Sequence, residues 1–203
     1  MKKRWRLPVL FLILAAAAYW LWSTNTSGTL AGPLTDFAVP DTAAVSRIFI
    51  ASKNGKTMDL RRTADGWTAD GLAAKTFQVK TLLETFKLVE LRTPVPKSAQ
   101  QNVLRVMAGT AQKVEIYQGG RTPVKIWWVG QSSADHYGTY MLLEIPGKGK
   151  SSVPFVMGMT GFIGVLNTRF PTDIDIWRSS VVTSYPDLSK VKRVHVEQPA
   201  DTA

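Results

Sequence analysis

The chain has 203 residues, of which 45% are hydrophobic and 20% are charged, and its formal net charge is +10. This composition is typical of a globular protein with room for one domain and an additional element. Cysteine is absent, which excludes disulfides, thiolate catalysis and cysteine-bound zinc. Four positive charges fall within the first six residues, and the remaining lysines and arginines are too scattered to predict a nucleic-acid partner.

The N-terminus predicts a membrane segment. A basic tip precedes an uncharged run over residues 7–22, and these 16 residues would span about 24 Å as a helix. One interpretation is a cleaved signal peptide with its cleavage site in residues 15–18. The other, which we favour, is a retained anchor, because cleavage would leave the aromatic stretch "YWLW" as an exposed terminus. We assign to the anchor Trp5, Leu10, Leu14, Tyr19, Trp20 and Trp22.

Orientation follows from charge. Basic residues flank transmembrane segments on the cytoplasmic side, so we expect the N-terminus in the cytoplasm. The body would then lie on the extracytoplasmic, periplasmic side of a bacterial inner membrane, held by one span. Four regions are predicted: a basic tip and anchor (1–22), a Ser/Thr/Gly-rich flexible linker (23–34), an extracytoplasmic domain (35–184), and the start of a second repeat unit (185–203).

The domain is predicted to begin with a three-stranded meander. Residues 46–52 alternate in polarity, and Asn54 and Gly55 form a hairpin-turn signal before the chain returns in "KTMDLRR". A second turn leads to a short strand that carries Trp67.

Two helices are predicted next. Apolar residues recur at helical spacing over residues 76–91, and the prolines that follow end this helix. A shorter helix is expected over residues 98–109, with Ser98 as its N-cap and Gln101 as the capping-box partner.

A second set of strands is predicted over residues 112–118, 124–130, 139–145 and 153–159. Trp127 and Trp128 are adjacent, so one indole should face the core while the environment of the other stays open. Residues 160–170 are interpreted as a short helix, and residues 171–182 as irregular with Trp177 packed inward. The predicted fold class is α+β: antiparallel β-meanders covered by two or three helices on one face, preceded by one N-terminal transmembrane helix.

Catalytic residues are not indicated. His136 lies between Asp135 and Tyr137 in a predicted loop, but no nucleophile motif accompanies this pair, so a structural role is the stronger interpretation. No cofactor or metal is predicted, and we expect a non-enzymatic protein.

Two segments are candidates for binding a protein partner. The first is the glycine-containing apolar run 156–166, for which we single out Met157, Met159 and Phe162; a buried core is the stronger alternative. The same residues, together with Trp128, could instead line a groove for a lipid or a small apolar ligand.

The second candidate comes from a repeated motif. Pro40-Asp41, Val45 and Arg47 recur as Pro186-Asp187, Val191 and Arg193, each followed by an apolar-x-apolar stretch. We expect a strand at 191–196 that either adds to a sheet edge or begins a second unit in a longer form. The residues assigned to partner binding here are Val191, Arg193, Val194 and Val196.

Three segments together resemble one bacterial family: residues 45–71, the helix "TLLETFKLVELRTPV", and the stretch "DIDIWRSSVVTSYPDLSKVKRVHVE". In this order they are similar to domain-of-unknown-function family forty-three forty. The resemblance implies a membrane-anchored protein, often encoded near transporter genes of the gliding-motility ABC type, in which the unit can occur in successive copies. It implies no catalytic residues. The predicted function is that of an accessory subunit of an envelope or transporter-associated complex, with ligand binding in the groove as the alternative.

Overall fold

The structure is a computed structural model that describes residues 11–19, 30–31, 34–181 and 188–195. Its strands are β1 (Leu30–Ala31), β2 (Arg47–Ala51), β3 (Thr57–Thr63), β4 (Gly66–Ala69), β5 (Leu72–Ala73), β6 (Val89–Pro94), β7 (Gln112–Tyr117), β8 (Lys125–Ser132), β9 (Thr139–Ile145), β10 (Gly149–Ser151) and β11 (Phe155–Met159). Its helices are α1 (residues 11–19), α2 (Thr76–Leu88), α3 (Lys97–Thr110) and the single turn α4 (Ile174–Trp177).

All strands belong to one sheet. Its order is β1-β10-β9-β8-β7-β2-β3-β4-β5, and β11 pairs with β9 on one side and with β6 on the other. Every pairing is antiparallel except that of β1 with β10. The predicted α+β class, the first meander and the second set of strands are confirmed. Strand β6 pairs only with β11 and lies at an edge of the sheet.

The larger core lies on one face of the sheet, where α2 covers Trp127. The Trp127 ring is 5.0 Å from Phe86 and 6.3 Å from Phe170 in edge-on contacts, and 6.2 Å from Phe37. Such aromatic pairs add to the burial of large apolar surfaces. Trp177 from α4 is also fully buried, as the sequence predicted, and its Nε1 donates to the carbonyl of Pro171.

A smaller core lies on the opposite face, beneath α3. It consists of Val95, Val103, Met107, Ala111 and Leu142. The expectation that the helices cover one face of the sheet is therefore wrong: α2 and α3 lie on opposite faces. Only part of the second face is covered, because α3 is the one long helix that packs there among the described residues.

Two boundaries differ from the predictions. Helix α2 ends at Leu88 rather than near residue 91, because Val89 turns to an extended conformation and pairs with Met159 in β11. Helix α3 begins after Pro96, and the predicted capping box is wrong: the N-cap makes no side-chain hydrogen bond, and Gln100 instead donates to the carbonyl of Val95.

The predicted helix over residues 160–170 is also wrong. The chain makes a tight turn that returns Phe162 to Met159, and only Asn167–Arg169 forms a single 3-10 turn. Gly161 and Gly164 adopt φ values of +74° and +146°, which an α-helix does not tolerate.

The terminal predictions fall partly outside the described residues, as Trp5, Leu10, Trp20, Trp22 and Val196 do. Leu14 and Tyr19 lie on α1 with exposed side chains. Within the described ranges, no helix is both long enough and apolar enough to span a bilayer.

The predicted strand at 191–196 is not formed by its described part. Residues 188–190 make a 3-10 turn, and residues 191–195 have no regular secondary structure. The matching residues of the first motif copy, Ile48 and Ile50, are fully buried in β2, whereas Val194 is 75% exposed. The two copies of the motif thus have different structures over this range.

Gly130 tests the packing of α3 on the sheet. A Cβ atom at this position would lie 2.9 Å from both Met107 Cγ and the carbonyl oxygen of Tyr140. We expect Gly130→Ala to lower the free energy of unfolding by about 1–3 kcal/mol, because β8 must move away from Met107 of α3 and from the backbone of β9 to make room for the methyl group. Gly109→Ala on the exposed end of α3 is the control: its Cβ meets nothing within 4 Å, and the better helix propensity of alanine should raise stability. Equal urea midpoints for Gly130→Ala and wild type would contradict this packing.

Candidate functional site

A pocket of about 400 Å³ opens between α3 and the sheet. Its apolar walls are formed by Leu104, Met107, Ala108, Ala111, Trp128 and Leu142. Its polar lining consists of Lys53, Lys150, Ser151 and Ser152. The pocket therefore combines an apolar interior with basic groups.

The walls follow from local periodicity. The four residues from the α3 side are separated by three, one and three positions, which places them on one helix face. Trp128 and Leu142 are directly opposite each other in the antiparallel pair β8 and β9, so their side chains lie on the same sheet face. The basic groups come from two other places: Lys53 follows β2, and Lys150 lies on β10.

Trp128 is the centre of the polar part of the site. Its Nε1 donates to Glu144 Oε2 over 2.7 Å, which holds the half-buried indole in place. The ammonium groups of Lys150, Lys113 and Lys53 lie 3.7, 5.8 and 5.9 Å from the centroid of the Trp128 ring. Cations within about 6 Å of an indole face are attracted by its quadrupole. Three cations thus converge on one aromatic ring.

The three lysines differ in their partners. Lys113 forms an ion pair with Glu115 at 2.7 Å, whereas Lys150 and Lys53 have no ion pair within the described part of the chain. Burial lowers the pKa of Lys150; Glu144 acts in the opposite direction, and the neighbouring positive charges of Lys53 and Lys113 add to the lowering. Lys150 is therefore a partly desolvated cation without an ion pair among the described residues.

The part of this sheet face next to the pocket carries a network of side chains that bind one another. Asp59 accepts from Arg47 and from Arg61, each at 2.7 Å, and Arg47 also lies 5.0 Å from the Tyr117 ring. The Tyr117 hydroxyl donates to Glu115 at 2.6 Å, and burial together with this carboxylate raises the pKa of Tyr117 to about 12. These groups have partners within the fold, which favours a structural role for them.

The residues predicted from the segment 156–166 lie elsewhere. Met157 is fully buried, and Met159 and Phe162 pack partly buried against the larger core. Trp128 belongs to the smaller cluster on the other sheet face. The expected groove shared by Trp128 and these three residues is therefore wrong, and Met157 offers no exposed surface.

The described residues of the second motif copy, Val191, Arg193 and Val194, do not line the pocket. Val191 is half-buried, and Arg193 and Val194 are exposed. They stay candidates for a protein contact, without the strand geometry that the sequence suggested.

The loop around His136 is organised by Asp135. The Asp135 carboxylate accepts from the hydroxyl of Ser133 and from the backbone N–H of Tyr137, and these hydrogen bonds lower the pKa of Asp135. His136 adopts a left-handed φ of +58°, as a turn residue does. The carboxylate is thus engaged within the loop, and the described residues contain no cluster that could hold a metal ion.

Sequence reasoning singled out Trp128 but missed the rest of the pocket. Lys53, Met107 and Lys150 are separated by more than forty residues from one another, so no local spacing connects them. The helical face of α3 gave a signal, but the same pattern is expected of an ordinary core-facing helix.

Comparisons with known proteins add no identification: no family model, no curated protein and no solved structure matches this chain.

Asp59 supplies a test of the network beside the pocket. Burial disfavours the ionised carboxylate, but hydrogen bonds from Arg47 and Arg61 outweigh it, so the pKa of Asp59 is lowered on folding. Because the pKa is lower in the folded state, the ionised carboxylate stabilises the fold at pH values above its unfolded-state pKa of about 4. This contribution is lost as the pH falls through the folded-state pKa. We expect Asp59→Asn to be destabilised at pH 7 relative to wild type and to lose less stability between pH 5 and pH 2.5.

Urea unfolding across this pH range provides the measurement, with Asp65→Asn in an exposed turn as the control. Parallel pH profiles for wild type and Asp59→Asn would contradict the assignment.

Proposed function

We propose that the folded body is a non-enzymatic binding domain that takes a small apolar ligand, or the apolar part of a lipid, into the Trp128 pocket. The observation that carries this proposal is the preformed cavity with six apolar lining residues. Its volume of about 400 Å³ lies within the range of about 300–1,000 Å³ that is usual for small-molecule sites. The polar lining residues, Lys53, Lys150, Ser151 and Ser152, would fix the orientation of the ligand.

We further propose that the domain is tethered to the bacterial inner membrane by a single N-terminal span, with the body on the periplasmic side. Support comes from the basic tip, the uncharged run over residues 7–22 and the helical conformation of residues 11–19. The side chains of Phe11, Leu12 and Leu14 are exposed on this helix, as the lipid-facing residues of an anchor are.

A second candidate function is that of an accessory subunit of an envelope or transporter-associated complex. One observation favours it: β6 pairs with β11 on one side only, so its other edge is open within the described part of the chain. An extended segment of a partner protein could add to such an edge. The resemblance to the membrane-anchored family supports the accessory-subunit function as much as it supports the ligand-binding function.

The pocket proposal is tested with hexanol that carries a terminal trifluoromethyl group, observed by fluorine NMR. The full chain is reconstituted in nanodiscs, and empty nanodiscs correct for partitioning into lipid. Ala108→Phe fills the pocket from the α3 side and should weaken binding at least tenfold. Gln101→Phe adds the same side chain to an exposed position of α3 outside the pocket and should leave binding unchanged.

Absence of saturable binding to the wild-type chain would contradict the pocket proposal. So would equal affinity of wild type and Ala108→Phe. Binding of a partner protein that is abolished by a proline in the middle of β6, with no effect of Ala108→Phe, would favour the accessory-subunit function.

A further inference from the structure

Resting on the proposed function, we propose that the ligand of the Trp128 pocket is a compact amphiphilic anion. It consists of a carboxylate or phosphate joined to a single apolar chain or ring. Lys150 and Lys53 bind the anionic group, while Trp128, Met107 and Leu104 contact the apolar part.

Lys150 lies directly beside the apolar wall of the pocket. Its ammonium group lies 3.7 Å from the centroid of the Trp128 ring, and the same two residues line the cavity. A ligand that enters along the indole face therefore meets this ammonium group at once. Lys53 approaches the same ring from the loop after β2, at 5.9 Å. The apolar and basic contacts are thus adjacent, as an amphiphile requires.

The charged groups around Lys150 leave an excess of positive charge. Lys53, Lys113 and Glu144 contact the indole, and Glu144 is also the cross-strand neighbour of Lys150. Together, the two carboxylates of Glu144 and Glu115 are one charge short of balancing the three lysines. Glu115 pairs with Lys113 and accepts from Tyr117, while Glu144 accepts from Trp128 Nε1. Lys150 and Lys53 have no ion-pair partner among the described residues. An anionic group would compensate this excess of positive charge, whereas a cationic group would add to it.

The partial burial of the Lys150 ammonium group also favours an anionic ligand. A cation that is partly removed from water and not paired is destabilised, and an anion bound beside it relieves that cost. Charge-assisted hydrogen bonds from an ammonium group to a carboxylate or phosphate are also stronger than those between neutral groups. The pocket should therefore discriminate by charge between ligands with the same apolar chain.

The size of the cavity selects the source of the anion. About 400 Å³ is near the lower end of the range for small-molecule sites, about 300–1,000 Å³. One short chain or ring fits such a space, while the two long chains of a bilayer phospholipid do not. A free single-chain anion is thus the ligand, rather than a lipid that remains in the membrane.

The experiment compares three probes that share one trifluoromethyl-tagged six-carbon chain: hexanoate, hexanol and hexylamine. Affinities for the full chain in nanodiscs of phosphatidylcholine are measured by fluorine NMR at pH 7.5. We expect hexanoate to bind at least tenfold more tightly than hexanol, and hexylamine to bind more weakly than either. Lys150→Gln should reduce hexanoate binding to the level of hexanol, with hexanol binding retained as proof of an intact pocket.

Lys148→Gln is the matched control, because it removes an exposed lysine two residues away that does not line the pocket. It should leave the preference for hexanoate unchanged. Equal affinities for hexanoate and hexanol, or equal effects of Lys148→Gln and Lys150→Gln, would overturn the anion inference while leaving the pocket function intact. If no probe binds, the proposed function itself fails.

A final arm distinguishes the source of the anion. Nanodiscs that contain phosphatidylglycerol present anionic headgroups on a two-chain lipid. We expect hexanoate affinity to be unchanged by this lipid after correction with empty nanodiscs. Competitive loss of hexanoate binding, suppressed in Lys150→Gln, would overturn the free single-chain ligand in favour of a bilayer headgroup.

Discussion

Adjacent residues on a β-strand must point to opposite faces of the sheet, and β8 places two tryptophans under this constraint. Trp127 is fully buried in the aromatic core beneath α2, whereas Trp128 lies half-buried on the face that α3 covers only in part. The large core can therefore be closed and apolar while the other face stays accessible. The pocket lies at the border of α3, where the helix no longer covers the sheet.

On the same face, some charged side chains are paired within the fold, whereas others have no ion pair and could bind a ligand. On the open face, Arg47 and Asp59 satisfy each other, and Lys113 is paired with Glu115. Lys150 faces the same sheet but lines the cavity. Burial and the neighbouring lysines lower its pKa, while Glu144, its cross-strand neighbour, acts in the opposite direction. A half-buried cation without an ion pair is costly, and the contact of Lys150 with the Trp128 ring at 3.7 Å offsets part of that cost. The anionic ligand that we propose would offset the remaining cost.

Periodicity predicted the α+β class and most elements because strands and helices bury one face at fixed intervals. It failed where pairing between distant residues decided the outcome. Val89 continues the apolar pattern of α2 but joins β6, since β11 offers it a strand partner. The strand that the repeated motif predicts at 191–196 is not formed over residues 191–195, because sequence similarity supplies no neighbour for the second copy to pair with. Trp128 was recognisable from its adjacency to Trp127, whereas Lys150 and Met107 meet only through the folding of the sheet.

We propose that the ligand enters beside Trp128 rather than at the segments 156–166 or 188–195. The most direct measurement uses a short-chain carboxylate with a photoreactive diazirine, crosslinked to the full chain in membranes and mapped by mass spectrometry. We expect saturable labelling of the pocket-lining part of α3, around Met107 and Ala108, and competition by unlabelled hexanoate. Labelling confined to 156–166 or 188–195, or labelling that never saturates, would contradict it.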